Sequence, residues 1–173
     1  GVTTRALVTA MDVPLGLTAG NSLEIRETLE VLAGGGPSDV VELTLLLANE
    51  MLDAVGIKPK VSPSDALKNG MAMDVWRKMI KAQGGDNDAP LPVGKEKIEI
   101  SADSSGKLLT LDALKVGISA WRLGAGRQKQ GEVLQLGAGI EIHAKPGDLV
   151  KVGQKILTLH SDEPARFDRA KEA

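Results

Sequence analysis

Apolar and polar positions change period several times along the chain, and each change marks an element. The run Ala6-Leu7-Val8 is short and wholly apolar, and Thr3–Met11 is predicted as a strand, of the kind buried inside a parallel sheet. Pro14-Leu15-Gly16 interrupts it, and after Gly20-Asn21 the period becomes helical, with Ile25, Leu29 and Leu32 at i, i+4 and i+7. That helix runs over about 21–32 and stops at Gly34-Gly35-Gly36-Pro37. A second helix spans about 38–54 and ends at Gly56. Its leucines at 43, 45, 46, 47 and 52 wrap nearly all round, which predicts burial on most sides.

Ser62-Pro63-Ser64-Asp65 reads as N-cap, N1 proline and capping-box acid for a short helix ending at Asn69. Another helix runs from Met71 to Ala82 before Gly84-Gly85, and 86–95, with Pro90, Pro92 and Gly94, is the best linker. The second half alternates instead. Strands are predicted around Ile98-Glu99-Ile100, Leu108–Leu111, Gly139–His143 and Lys155–Leu159. Asp112 is placed to cap a helix over 113–123 whose Leu114, Ile118 and Trp121 share a face, and the charged tail 163–173 reads as a surface helix.

Composition removes several classes. A net charge of −2, from 21 basic and 23 acidic residues, gives no footprint for nucleic acid. Aromatic side chains are limited to Trp76, Trp121 and Phe167, too few for a base-stacking platform. Without cysteine there is no disulfide framework or thiol chemistry. No apolar run approaches the roughly 20 residues that span a bilayer, and no signal peptide opens the chain, so no membrane role is expected and a cytoplasmic location is.

The segment Thr9-Ala10-Met11-Asp12, Pro14-Leu15-Gly16, Gly20-Asn21, Leu23-Glu24 and Glu27 resembles the signature of the pyrimidine nucleoside phosphorylases, thymidine phosphorylase in particular. Leu32–Pro37 with Asp39 and Glu42-Leu43, Gln83–Asp86, Leu123–Arg127 and Lys145–Asp148 continue the likeness in order along nearly the whole chain. The resemblance implies part of a mixed-sheet α/β domain at 1–92 and a C-terminal α+β domain, with a strongly bent, barrel-sandwich-like sheet, at 93–173. It implies a pentosyltransferase that cleaves pyrimidine nucleosides with phosphate, and a parent that is a homodimer. It also implies a potassium-type monovalent cation held by the main-chain carbonyls of Leu15 and Thr18 and the carboxylate of Glu27. No other cofactor is expected.

Family members are more than twice as long, and the chain opens on Gly1-Val2 heading into a strand, so a fragment is expected. The phosphate and pyrimidine clamps of the family lie on upstream segments whose motifs are absent from this sequence. No catalytic or substrate-binding residue is therefore assigned, and the 173-residue chain is expected to be inactive. Thymidine or uridine preference cannot be read from it.

Other residues are read against bland alternatives. Glu27 on composition alone is a first-turn acid favoured by the helix dipole. His143 and His160 lie in alternating strand contexts without a third ligand at metal spacing and are expected to be structural. Asp12 either lines a cleft or bonds its own loop. Gly124–Arg127 lacks phosphate-loop spacing and reads as a helix end with a tight turn. Ala144–Gln154, with Pro146-Gly147-Asp148, Val150 and Gly153, resembles half of a lipoyl- or biotinyl-carrier barrel, but no carrier lysine context accompanies it. Two rivals remain: a stand-alone binding or scaffold module, and a fragment of an archaeal-type nucleotide phosphorylase.

Overall fold

The computed structural model describes residues 1–173. In chain order it contains β1 (Thr18–Ala19), α1 (Asn21–Leu32), α2 (Ser38–Ala54), α3 (Pro63–Lys68), α4 (Met71–Ala82), β2 (Glu96–Ser101) and β3 (Gly106–Lys107). Then follow α5 (Ala113–Ala120), β4 (Gly139–Ile142), β5 (Leu149–Val150), β6 (Lys155–Ser161) and α6 (Arg166–Lys171). Contacts group the chain into two compact units: Gly1–Thr9 with Glu27–Pro90, and Ala10–Arg26 with Leu91–Ala173. Residues 10–26 thus group with the second half of the sequence, although they precede the linker, and α1 runs through the boundary. No helix is long and apolar enough to cross a membrane.

The first unit is helical. Its starts and stops follow local chemistry. Ser62 Oγ accepts the Asp65 N–H at 3.1 Å and donates to the Asp65 carboxylate at 2.8 Å, which satisfies the open first turn of α3. Gly34, Gly36, Gly56 and Gly84 take positive φ beyond the helix ends. Arg5 pairs with Glu50 at 2.7 Å. Two expectations fail here. Residues 3–11 form no strand, and Val8 is fully exposed, because no segment of the chain offers the hydrogen-bonding ladder a strand requires. Nor is α2 buried on most sides: none of its residues is buried, and Met51 is 65% exposed. Its principal neighbour within the unit is α3, which cannot cover an all-round apolar surface.

The second unit carries the main core. An antiparallel sheet of order β1-β4-β6-β2 is joined by the short β3–β5 pair. Period-two alternation separates its faces. Ile98, Ile100, Ile140, Ile142, Leu157 and Leu159 pack with Val116, Ala120 and Leu123 of the α5 region and with Phe167 and Ala170 of α6. Leu123, with no exposed surface, is worth about 1.5–3 kcal/mol of burial.

Asp112 caps α5, its Oδ1 accepting the Lys115 N–H at 3.0 Å. The face α5 turns inward is Val116–Ala120–Leu123, not the one predicted. Leu114 is 72% exposed, since the helix is docked by its position after Asp112 and not by its longest aliphatic residue. Over Trp121–Ala125 the helix widens and ends at Gly124, with φ +113°. The strand predicted at Leu108–Leu111 is absent; a two-residue strand, Gly106–Lys107, lies just before that stretch. Past it, Leu108 still exchanges hydrogen bonds with the turn, donating to Asp148 O and accepting from Gly147 N. The tail helix buries Phe167 and Ala170 and is therefore part of the core, with only its charged positions on the surface.

Candidate functional site

The loop Asp12–Leu17 is built by what surrounds its ends. At its start the Asp12 carbonyl accepts the Ala113 N–H at 3.0 Å, tying it to the first residue of α5, while the side chain is exposed. At its far end Leu17 O accepts the Ile142 N–H at 2.7 Å. Beyond it Thr18 lies opposite Glu141 and Ala19 opposite Ile140. Two glycines allow this close approach. A Cβ on Gly20 would stand 2.5 Å from Ala138 O, and one on Gly139 would stand 2.3 Å from Ala19 O; both residues have positive φ.

The register has a chemical consequence. Antiparallel pairs alternate between hydrogen-bonded and non-hydrogen-bonded types. Leu17–Ile142 is bonded, so Thr18–Glu141 is the other type, and the Thr18 carbonyl points away from β4. As β1 is the edge of the sheet, that carbonyl faces no strand. Thr18 Oγ1 is also buried without a hydrogen-bond partner. Leu15 is half exposed. Beside it, the Lys145 ammonium donates to Pro14 O at 3.2 Å. A loop whose carbonyl already engages a unit positive charge, with a second carbonyl turned to an open edge, has the donor chemistry hard cations take. These residues fit a monovalent cation. Glu27, the third predicted ligand, is a buried carboxylate of α1, nine residues after Thr18.

The face of the sheet opposite the core is polar. Thr18, Glu141, Thr158 and Glu99 form a row across its four strands. Glu141 stands between Arg26 Nη1, at 3.4 Å, and the buried His160 Nε2, at 3.3 Å. The His160 contact is a close approach without the alignment of a hydrogen bond, as that nitrogen has no geometrically satisfactory partner. His143 Nε2 bonds Thr158 Oγ1 at 2.7 Å. Sequence reasoning took the histidines singly. The alternation of Glu141 with His143 and of Thr158 with His160 was the signal that they share a face, but it needed the β4–β6 register to be read. No group of three or more histidine, aspartate or glutamate side chains is placed to hold a metal ion.

The turn after Gly124 is no phosphate cradle. The N–H groups of Gln128 and Lys129 are taken by the Glu132 carboxylate, at 2.7 and 3.3 Å, and Arg127 Nε donates to Glu132 O. Those backbone bonds, the Gln128 bond foremost, with Arg166 nearby, hold the Glu132 carboxyl below its ordinary range. At the turn after β4, the Lys145 N–H donates to Asp148 Oδ2 at 2.8 Å and Asp148 N to Lys145 O at 3.0 Å. The Lys145 side chain is turned to the Pro14 loop and is not displayed as a carrier lysine would be.

A helical unit together with an antiparallel α+β unit, the latter with an irregular loop leading into its edge strand, is the class these observations define. Residues 108–173 match the family model described as the pyrimidine nucleoside phosphorylase C-terminal domain. The chain is 52% identical over 171 residues to a protein named thymidine phosphorylase from Mycobacterium tuberculosis (strain H37Rv), covering 99% of this chain and 40% of that protein. It is 37% identical over 172 residues to pyrimidine-nucleoside phosphorylase from Staphylococcus haemolyticus, covering 94% of this chain and 40% of that one. The corresponding Staphylococcus aureus protein is 34% identical over 172 residues. The chain belongs to the pyrimidine nucleoside phosphorylase family and spans about two fifths of the length of the curated relatives it matches.

Proposed function

We propose that residues 1–173 are the C-terminal portion of a thymidine phosphorylase, a cytoplasmic, homodimeric pentosyltransferase. The reaction is reversible: phosphate attacks the anomeric carbon of a pyrimidine deoxynucleoside, the glycosidic bond to the base breaks, and free base and deoxyribose 1-phosphate leave. The carrying observation is the 52% identity over 99% of the chain to a protein named thymidine phosphorylase, against 37% to one named for pyrimidine nucleosides in general. In this reading residues 1–92 complete the α/β domain and 93–173 are the family's C-terminal domain; the family match at 108–173 supports the second of these.

The chain's own contribution is support for the site. The carbonyls of Leu15 and Thr18 and the carboxylate of Glu27 are ligands of a monovalent cation, which when bound supplies fixed positive charge near the phosphate site. The open-edge Thr18 carbonyl supports this reading. The residues that clamp phosphate and base belong to other parts of the parent, so the 173-residue chain alone is inactive.

The test is release of thymine from thymidine, with uracil from uridine alongside, with and without phosphate, by the full gene product and by the 173-residue chain. Phosphate-dependent release by the full product alone is expected. Release by the short chain would move the chemistry into it, and a full product inert toward both nucleosides would end the reading.

A further inference from the structure

The Lys145 ammonium donates to the loop at Pro14 O, and its placement is built into the fold. The buried Ala144 precedes it. Its backbone N–H is held by Asp148 Oδ2 at 2.8 Å, and its carbonyl accepts the Asp148 N–H at 3.0 Å, so the Cα is locked in a tight turn. From there the side chain crosses to Pro14 O, 3.2 Å from Nζ. The two carbonyls read as cation ligands lie one and four residues further on, Leu15 in the same loop and Thr18 at the start of β1.

We propose that Lys145 is a tethered competitor of the monovalent cation: its ammonium neutralises the loop carbonyls when no ion is bound and opposes the ion electrostatically when one binds. This rests on the cation reading proposed above. An ammonium and a monovalent metal ion carry the same charge and seek the same carbonyl oxygens. Two unit positive charges drawn to carbonyls of one short segment at a partly exposed site oppose one another, by on the order of tenfold in affinity if they come within several ångströms. The loop therefore trades one cation for the other, and the lysine sets how much potassium the site demands.

The assay is thermal unfolding of the full chain in potassium chloride, against lithium and choline chlorides at matched ionic strength, for the parent sequence, Lys145→Met, Lys145→Gln and Lys145→Arg. The proposal expects a potassium-specific rise in midpoint whose half-saturating concentration falls about tenfold in Lys145→Met and Lys145→Gln and stays near the parent value in Lys145→Arg. A merely structural lysine cannot raise potassium affinity when removed. A potassium response that is unchanged or weaker in Lys145→Gln overturns the competition while leaving the cation site standing. If no form distinguishes potassium from lithium or choline, the cation reading falls, and this proposal with it. Lys145→Gln keeps a donor to Pro14 O, so it carries the test should Lys145→Met fail to fold.

Discussion

Single residues set the geometry of the loop and of the helix starts. Gly139 is the tightest point, since a Cβ there would stand 2.3 Å from Ala19 O at a φ of +153°. Gly139→Ala is expected to cost more than about 1 kcal/mol, read by urea denaturation, because backbone on the facing strand must move and an L side chain is strained at that φ. Asp112→Ala removes the acceptor of the Lys115 N–H and is expected to cost about 1 kcal/mol in the same experiment. The Asp112 and Ser62 caps were legible from sequence because capping is local, decided by residues three positions apart. Gly139 was not: its partner Ala19 lies far off in sequence, and only the β1–β4 pairing shows what a side chain there would strike.

Elements show where local pattern stops being informative. The 3.6 period places α1, α2 and α4 well, yet it does not say which face is covered. Leu46 and Met51 of α2 remain 46% and 65% exposed despite a leucine-rich sequence, whereas the charged tail contributes the buried Phe167 and Ala170. Stability should follow burial and not hydrophobicity. Leu123→Ala is expected to lower unfolding free energy by about 2–5 kcal/mol, and Met51→Glu by less than about 0.5 kcal/mol, both measured by chemical denaturation. Equal losses at the two positions would show that α2 is covered in solution. The absent strand at 3–11 teaches the same lesson: Ala6-Leu7-Val8 has strand character, but a strand exists only where another backbone completes its ladder.

For the whole molecule, charge and pH matter more than any one contact. Lys155, by its side-chain bond and charge, holds the Glu99 carboxyl below its ordinary range, and the Gln128 and Lys129 amides with Arg166 do so for Glu132. A carboxylate lowered on folding stabilises the folded chain above its unfolded pKa, and that contribution is lost as pH falls through the lower folded value. Acid unfolding should therefore steepen below the ordinary glutamate range. Glu132→Gln should lose stability at neutral pH and show a shallower acid slope, measured by denaturation at several pH values. Both groups are at the surface, so added salt should shrink the Glu99 part most.

Sequence alone was enough for the helix limits, the caps, the glycine stops, the strands at 96–101, 139–142 and 155–161 and, through motifs spread along the chain, the family. Those depend on neighbours a few positions away or on identities in order. Only the tertiary structure decided that residues 10–26 group with 91–173, that Thr18 turns its carbonyl to an open edge, that Glu141 stands between Arg26 and His160, and that Lys145 reaches Pro14 O. Each of those joins residues roughly a hundred positions apart, or requires the parity of a strand register. A one-residue slip would reverse every such relation while leaving local propensity unchanged.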